Sequence, residues 1–151
     1  MTRLLGVDLG ERRIGVALAN GDPPRARPLT TLPRRPRVAD DAAALAELLE
    51  GHGASELVVG LPLEASGEEG PQALVTRAWA TEIGAILGLA VLFRDERLTS
   101  HLAESRLGPM KRGRSGGPPT ATQRRAHRER VDREAAAILL QDELDARRGS
   151  R

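Results

Sequence analysis

The sequence contains no cysteine, so disulfide bonds and thiolate ligands for metals are excluded. It also lacks a long apolar run, since the longest of any weight, Ile86 to Phe93, is too short to cross a bilayer. The first residues do not combine a basic segment with an apolar one, so we predict no signal peptide. A chain of 151 residues can bury the core of one domain. We therefore expect a single cytoplasmic domain over residues 1–151, with no membrane partner.

Aromatic residues and lysine are nearly absent as well. Trp79 and Phe93 are the only aromatic residues, and both are predicted to be buried. Lys111 is the only lysine among 23 basic residues. The isoelectric point of about 10.2 therefore reflects a lack of groups that titrate between neutrality and about pH 12, because the formal net charge is only +2. The isoelectric point alone says little about binding partners.

Positive charge is nevertheless concentrated in one stretch, from Arg106 to Arg130. It carries eight basic residues and a single acidic one, Glu129, which gives it a local charge of +7 and leaves −5 for the rest of the chain. Arginine pairs bidentately with phosphate, and neutralised phosphates release counterions, so the stretch favours a polyanionic partner such as nucleic acid. The alternative is a solvated loop without a partner. Together with Arg13, the candidate nucleic-acid-binding residues are Lys111, Arg112, Arg114, Arg124, Arg125 and Arg128.

The first apolar segment of the chain ends on a carboxylate. Leu4, Leu5 and Val7 predict a short strand that ends at Asp8, and apolar residues at alternate positions from Ile14 to Leu18 predict a second strand. The two strands form a hairpin. A carboxylate at the end of an apolar strand is well placed to meet a cation or a phosphate at the edge of a sheet. The alternative is that Asp8 only caps the turn.

The rest of the chain alternates between strands and helices, which predicts a mixed sheet with helices on its faces. In the helix that begins near Pro71, a buried face is predicted from the spacing of Val75, Trp79, Ile83 and Ile86. Glycines and prolines indicate a flexible basic loop at about residues 108–128. The predicted strands are 27–32, at an edge, 56–60, buried on both faces, and 89–93; the predicted helices are 37–50, 71–88, a short one from Thr99 or Ser100 to Leu107, and 130–147.

Three carboxylate sites occupy equivalent places in this scheme. Asp8 ends the first strand, Asp95 and Glu96 follow the last strand, and Asp132 is predicted in the first turn of the last helix. Asp95 and Glu96 point to opposite faces of an extended chain, so at most one of them faces a common site. Clustered carboxylates take up protons or bind hard divalent cations such as Mg²⁺ or Mn²⁺. Two such ions about 4 Å apart suit phosphodiester cleavage.

Each carboxylate also has a structural explanation. Asp132 would stabilise a helix N-terminus through the helix dipole, and Asp95 or Glu96 would pair with Arg94 or Arg97. The metal site is favoured because three carboxylates stand at matched positions beside a basic stretch.

Four motifs follow one another over nearly the whole chain: Asp8-x-Gly10-x-x-Arg13-Ile14-Gly15-Val16-Ala17, Val58-Val59-Gly60-Leu61-Pro62 with Gly67 and Gly70 beyond, Asp95-Glu96-Arg97-Leu98-Thr99, and Val131-Asp132. In this order they resemble the YqgF/RuvX family. This resemblance implies an α/β, RNase H-like fold with a mixed five-stranded sheet, whose first three strands are antiparallel and whose later strands are parallel. It implies a metal-dependent nuclease in which Asp8, Glu96 and Asp132 are catalytic metal ligands, with Asp95 as a secondary candidate.

One loop departs from the family pattern. After Pro62 we expect Asn-x-Asp-Gly and find Glu64, Ala65, Ser66 and Gly67, which puts in doubt any substrate contact made by the missing asparagine or aspartate. The family is associated with branched DNA junctions and with the 5′ end of precursor 16S rRNA. With so few aromatic side chains for base stacking, recognition should rest on phosphate contacts and shape, which favours structured nucleic acid. A homodimer would suit a two-fold junction, and a monomer would suit trimming of an RNA end.

Two other functions compete with the nuclease. The segment from Asp8 to Gly15 also resembles the first phosphate loop of actin-like ATPases and sugar kinases, but those proteins need two lobes to enclose a nucleotide. The other alternative is a non-catalytic, nucleic-acid-binding ribosome-maturation factor. Replacement of the carboxylates would leave the function of such a factor intact.

Overall fold

A sheet of five strands organises the chain in the computed structural model, which describes residues 3–97, 99–113 and 115–149. The strands are β1 Leu4–Leu9, β2 Arg13–Asn20, β3 Arg25–Pro33, β4 Glu56–Leu61 and β5 Val91–Asp95. The helices are α1 Val38–His52, α2 Pro71–Leu87, α3 Thr99–Leu107 and α4 Ala121–Gly149. The sheet order is β3-β2-β1-β4-β5, with β1 to β3 antiparallel and β1, β4 and β5 parallel. The predicted mixed sheet is confirmed, and β3 lies at an edge as expected.

Helices cover both faces of this sheet. On one face, Leu5 and Val7 of β1 pack with Leu45 of α1 and with Trp79 and Ile83 of α2. On the other face, the side chains that alternate with these pack against α4, which contributes Ala136, Leu139 and Leu140. Because β1 and β4 are buried on both faces, they are apolar at nearly every position. None of the helices in the described part of the chain has the length and apolar content required to cross a bilayer.

The buried face of α2 differs from the predicted one. Trp79 and Ile83 are buried, but Val75 is 55% exposed and Ile86 is 49% exposed. Small buried residues lie to one side of Trp79 on the helix surface. The buried face is therefore rotated about a quarter-turn around the helix axis from the predicted face, which includes Val75 and Ile86. The residues buried from α2 are Ala73, Thr76, Trp79, Ala80, Ile83 and Gly84.

Helix α4 begins at Ala121, nine residues before the predicted start. The backbone N–H of Gln123 donates to Thr120 Oγ1 at 3.1 Å, and the backbone N–H of Thr120 donates to Gln123 Oε1 at 2.8 Å. This reciprocal pair is a capping box. Residues 121–128 are therefore helical and do not belong to a loop, so the predicted extent of the basic loop is wrong. The placement of Asp132 in a first helical turn is wrong for the same reason.

The start of β5 differs from the predicted one for a local reason. Gly88 adopts φ 66° at the end of α2, and the backbone N–H of Leu89 then donates to the carbonyl of Gly84. Residues 89 and 90 complete this turn, so β5 runs from Val91 to Asp95 and not over residues 89–93. The consequence for the site is that Glu96 follows the strand directly.

Glycines on β1 and β2 let α4 contact the sheet backbone to backbone. A Cβ atom on Gly15 would overlap the main-chain carbonyl of Asp132, and one on Gly6 would lie 2.8 Å from Leu140 Cβ and 2.9 Å from the Ala136 carbonyl oxygen. Side chains at these positions would push α4 off the sheet. The position of Asp132 therefore depends on the absence of a side chain at residue 15.

We expect Gly15→Ala to lower the free energy of unfolding by about 1–3 kcal/mol or more, because the added methyl group meets backbone that cannot rotate away. Gly51→Ala is the matched control, since Gly51 is in α1 and a Cβ atom there meets nothing within 4 Å. Alanine is the better helix former, so the control should gain roughly 0.5–1 kcal/mol. Urea denaturation of both variants measures these changes. Equal stabilities would contradict the proposed close approach of α4.

Candidate active site

The three predicted carboxylates Asp8, Glu96 and Asp132 line one cavity of about 580 Å³. Strands β1, β4 and β5 run parallel, so their carboxyl ends meet at the same edge of the sheet. Asp8 alternates with Leu4 and Gly6 along β1 and so shares the face that α4 covers. Helix α4 packs on that face and places Asp132 in the same cavity. We name this space the acidic cavity.

Asp8 lies near the end of β1, opposite Gly15 in the antiparallel register. Burial raises the pKa of its carboxyl above the usual value, and the nearby negative charge of Asp132 raises it further. A hydrogen bond with Glu96 acts in the opposite direction. Removal from water and repulsion therefore make the ionised form of Asp8 costly.

Glu96 follows β5 directly, and its backbone N–H donates to the carbonyl of Leu61 at 3.1 Å. Its pKa is raised to about 10 by burial, then by the charge of Asp8 and by the hydrogen bond to Asp8. Glu96 thus holds the proton that it donates to Asp8. Its Oε2 is buried and has no hydrogen-bond partner among the described residues. That oxygen lies against Gly60, where a side chain would overlap it.

Asp132 forms an ion pair with Arg13, whose Nε lies 2.6 Å from Oδ2. The side chains of Arg13 and Asp132 are only 25% and 20% exposed, so solvent screens this pair less than a surface pair. Within the trio of predicted carboxyls, one shared proton and the guanidinium of Arg13 offset the negative charge; Glu11, Arg34 and Arg97 also line the cavity. Within the described ranges, no three acidic or histidine residues are arranged to hold a metal ion as they stand.

Asp95, the secondary candidate, is directed away from the acidic cavity. Its carboxylate pairs with Arg97 at 2.7 Å and accepts the backbone N–H of Arg97 at 2.9 Å. These bonds to Arg97 lower the pKa of Asp95. As strand alternation predicts, only one of the two consecutive acids reaches the site, and that acid is Glu96.

The predicted nucleic-acid-binding residues do not gather at the acidic cavity. Arg13 contacts Asp132, as described above. Arg112 and Arg124 donate to backbone carbonyls of the loop before α4, those of Gly116 and Pro119 respectively. Lys111 is exposed in that loop. Arg125 and Arg128 lie on α4 beside a different cleft, and Arg114 lies outside the described residues.

Two arginines on the wall of the acidic cavity were missed by the sequence analysis as site residues. Arg34 follows β3 and donates from Nη1 to the Gly10 carbonyl at 2.9 Å. Arg97 was considered only as an ion-pair partner, but it also donates from Nη1 to Ala65 in the loop that departs from the family pattern. The position of Arg34 depends on β2–β3 pairing, for which the sequence has no local signal.

Comparisons with known proteins agree on one family. A family model described as "RuvX: Holliday junction resolvase" matches residues 2–146. A protein of Anaeromyxobacter dehalogenans named "Putative pre-16S rRNA nuclease" is 46% identical over 145 residues, which cover 96% of this chain and 98% of that protein. A protein of the same name from Chloroflexus aggregans is 42% identical, covering 96% of this chain and 94% of that protein.

The fold also matches a solved structure. The structure of T. thermophilus RuvC in complex with a Holliday junction substrate aligns with a TM-score of 0.57 over 99% of this chain and 98% of that chain. At 17% sequence identity this likeness concerns the fold alone. The predicted RNase H-like fold is confirmed.

The raised pKa of Glu96 predicts a stability that falls as pH rises. Between about 4.5, its value when unfolded, and about 10 in the folded protein, the folded state binds more protons than the unfolded one. The protonated Glu96 side chain therefore makes its full contribution to the free energy of unfolding below pH 4.5, and this contribution is lost as the pH approaches 10. Glu96→Gln cannot titrate, so it should flatten this fall in urea denaturation without divalent cations. Glu104→Gln, at an exposed position on α3, is the control. Equal slopes for both variants would contradict the assignment.

Proposed function

The chain belongs to the RuvX family, and from this we propose that it is a metal-dependent nuclease that hydrolyses phosphodiester bonds of structured nucleic acid. The acidic cavity would be its active site. The observation that carries the proposal is the meeting of Asp8, Glu96 and Asp132 on one cavity, with a buried Glu96 oxygen that has no partner among the described residues. The same family match favours a nuclease over the actin-like, ATP-binding alternative.

The donors of the acidic cavity fit a hard divalent cation, Mg²⁺ or Mn²⁺. All of them are carboxyl oxygens, and the unpaired Glu96 Oε2 offers a ligand without breaking an existing bond. When bound, such ions supply an activated water and stabilise the leaving oxygen. Asp8 and Glu96 would give up their shared proton, and Asp132 would exchange Arg13 for the cation. Asp8, Glu96 and Asp132 are thus the proposed metal ligands and catalytic residues, and Asp95 is not among them.

The arginines around the acidic cavity suit an anionic substrate. Arg34 and Arg97 both line it, and each is fixed by a bond to a backbone carbonyl of a neighbouring loop. A guanidinium held in place loses little side-chain entropy when it binds phosphate. We propose that these two side chains contact the phosphates next to the bond that is cleaved.

We propose the 5′ end of precursor 16S rRNA as the first substrate to test and a four-way DNA junction as the second. The names of the relatives, matched over nearly the whole chain, support the first substrate. The description of the family supports the second. The homodimer and the cytoplasmic location remain predictions from the sequence.

Replacement of a proposed ligand should abolish cleavage and spare binding. We expect Asp8→Asn and Asp132→Asn to lower the cleavage rate about 100-fold or more, because metal catalysis supplies several kcal/mol of transition-state stabilisation. Asp95→Asn is the matched control and should lose far less activity, because Asp95 does not line the acidic cavity and would affect the substrate only through its bonds to Arg97. Purified protein with Mn²⁺ or Mg²⁺ would be assayed on both substrates side by side.

Two results would contradict the proposal. Full cleavage by Asp8→Asn would remove the acidic cavity from the reaction. Binding without cleavage by the unmodified protein, on both substrates and with both metals, would instead support a non-catalytic ribosome-maturation factor. Loss of cleavage in Asp95→Asn as complete as in Asp8→Asn would mean that the proposed set of residues is incomplete.

A further inference from the structure

A second cleft, of about 440 Å³, lies between the β2–β3 pair and α4. Four arginines line it: Arg12, Arg13, Arg125 and Arg128. Among the described residues of its wall, Glu129 is the only acidic one. We name it the arginine cleft. Arg13 belongs to this cleft and also contacts Asp132 of the acidic cavity, so the two spaces share a wall.

Three of these arginines have no carboxylate partner in the part of the chain that the structure describes. Arg12, Arg125 and Arg128 are exposed, and their side chains form no hydrogen bond or ion pair with the described residues. Several other arginines do pair with carboxylates, although Arg27 on β3 does not within the described ranges; the paired ones include Arg37, Arg77, Arg97, Arg106, Arg147 and Arg148. Unpaired guanidiniums on several sides of a concave space create a positive potential that attracts an anion.

The neutral parts of the cleft wall hold its two sides together. Thr31 on β3 donates its hydroxyl hydrogen to the Glu129 carbonyl of α4 at 2.6 Å and accepts a bond from Arg133 at 3.3 Å. Leu32 and Pro33 add an apolar surface beside the arginines. A sugar–phosphate backbone combines a charged phosphate with a less polar sugar, which matches this mixture. The bonds between β3 and α4 therefore hold these groups at fixed positions.

We propose that the arginine cleft binds a backbone phosphate of the nucleic acid on one side of the bond that is cleaved. This inference rests on the proposed function. Arg128 and Arg125 precede Asp132 by four and seven residues on α4, or about 6 and 10 Å along the helix. Both distances are comparable with the spacing of neighbouring nucleotides, so the contacted phosphate lies within a few nucleotides of the cut.

Basic residues that are neighbours in the sequence do not all line the arginine cleft. Arg124 is next to Arg125 in the chain, but its guanidinium donates to the Pro119 carbonyl and it does not line the cleft. Arg12 lies outside the basic stretch of the sequence and lines the cleft. We therefore assign the phosphate contact to Arg12, Arg125 and Arg128.

The salt dependence of binding tests this assignment. Asp8→Asn protein would be titrated against a four-way DNA junction and a precursor 16S rRNA fragment over a salt series. Added Arg12→Ala or Arg128→Ala should weaken binding severalfold and reduce the slope of log K against log salt by about 0.7–0.9 for each phosphate that is no longer neutralised. Arg27→Ala is the matched control: Arg27 is exposed on β3, has no bond to the described residues and lies towards the other end of the strand. Melting temperatures would verify that each variant folds.

Replacement of single phosphates by an uncharged analogue would locate the contact. Single methylphosphonates would be placed one to six nucleotides from the cut made by the unmodified protein. The largest loss of affinity should occur at one position within this range, and Arg128→Ala should lose sensitivity at that position alone. Sensitivity that Arg128→Ala leaves unchanged would overturn the proposal.

The proposed function and the cleft can fail separately. If Arg12→Ala and Arg128→Ala keep the salt slope of Arg27→Ala while the unmodified protein cleaves, the cleft proposal is wrong and the nuclease stands. If the slopes fall and neither substrate is cleaved, the cleft is supported and the proposed nuclease fails.

Discussion

The contact between α4 and the antiparallel strands fixes the geometry of the molecule. Gly15 pairs with Asp8 in the β1–β2 register, and its missing side chain leaves room for the backbone of Asp132. One glycine thus brings together a strand carboxylate and a helix carboxylate that are 124 positions apart in the sequence. The same crossing sets Arg125 and Arg128 beside the β2–β3 pair. Both the acidic cavity and the arginine cleft follow from this approach.

The acidic cavity holds carboxyl groups at positions where their ionised forms are unfavourable. Burial and mutual repulsion oppose the ionised forms of Asp8 and Glu96, and the structure compensates with a shared proton. Arg13 compensates Asp132. Sites that break local rules of stability are commonly functional, because the cost persists only where it serves binding or catalysis. A cation would replace both forms of compensation at once.

Much of the fold could be predicted from local patterns. Apolar residues at alternate positions predicted the hairpin, and a run of consecutive apolar residues predicted β4. Because Asp95 and Glu96 point to opposite faces of an extended chain, only one of them was expected to face the site. The start of α4 was missed because residues 121–130 carry many charges and little apolar periodicity, although the Thr120–Gln123 capping box is visible in the sequence. Arg34 and Arg12 could not be assigned, since cross-strand register brings them to their cavities and no neighbouring residue encodes it.

The scarcity of aromatic residues gives the protein a simple optical signal. Trp79 is the only tryptophan, it is 4% exposed, and its indole N–H donates to the buried carboxylate of Asp41 at 3.0 Å. Asp41 also accepts the backbone N–H of Arg35, so this indole reports on the junction of α1, α2 and the segment after β3. That junction is on the sheet face opposite α4. Intrinsic fluorescence therefore follows the integrity of this layer of the fold from a single position.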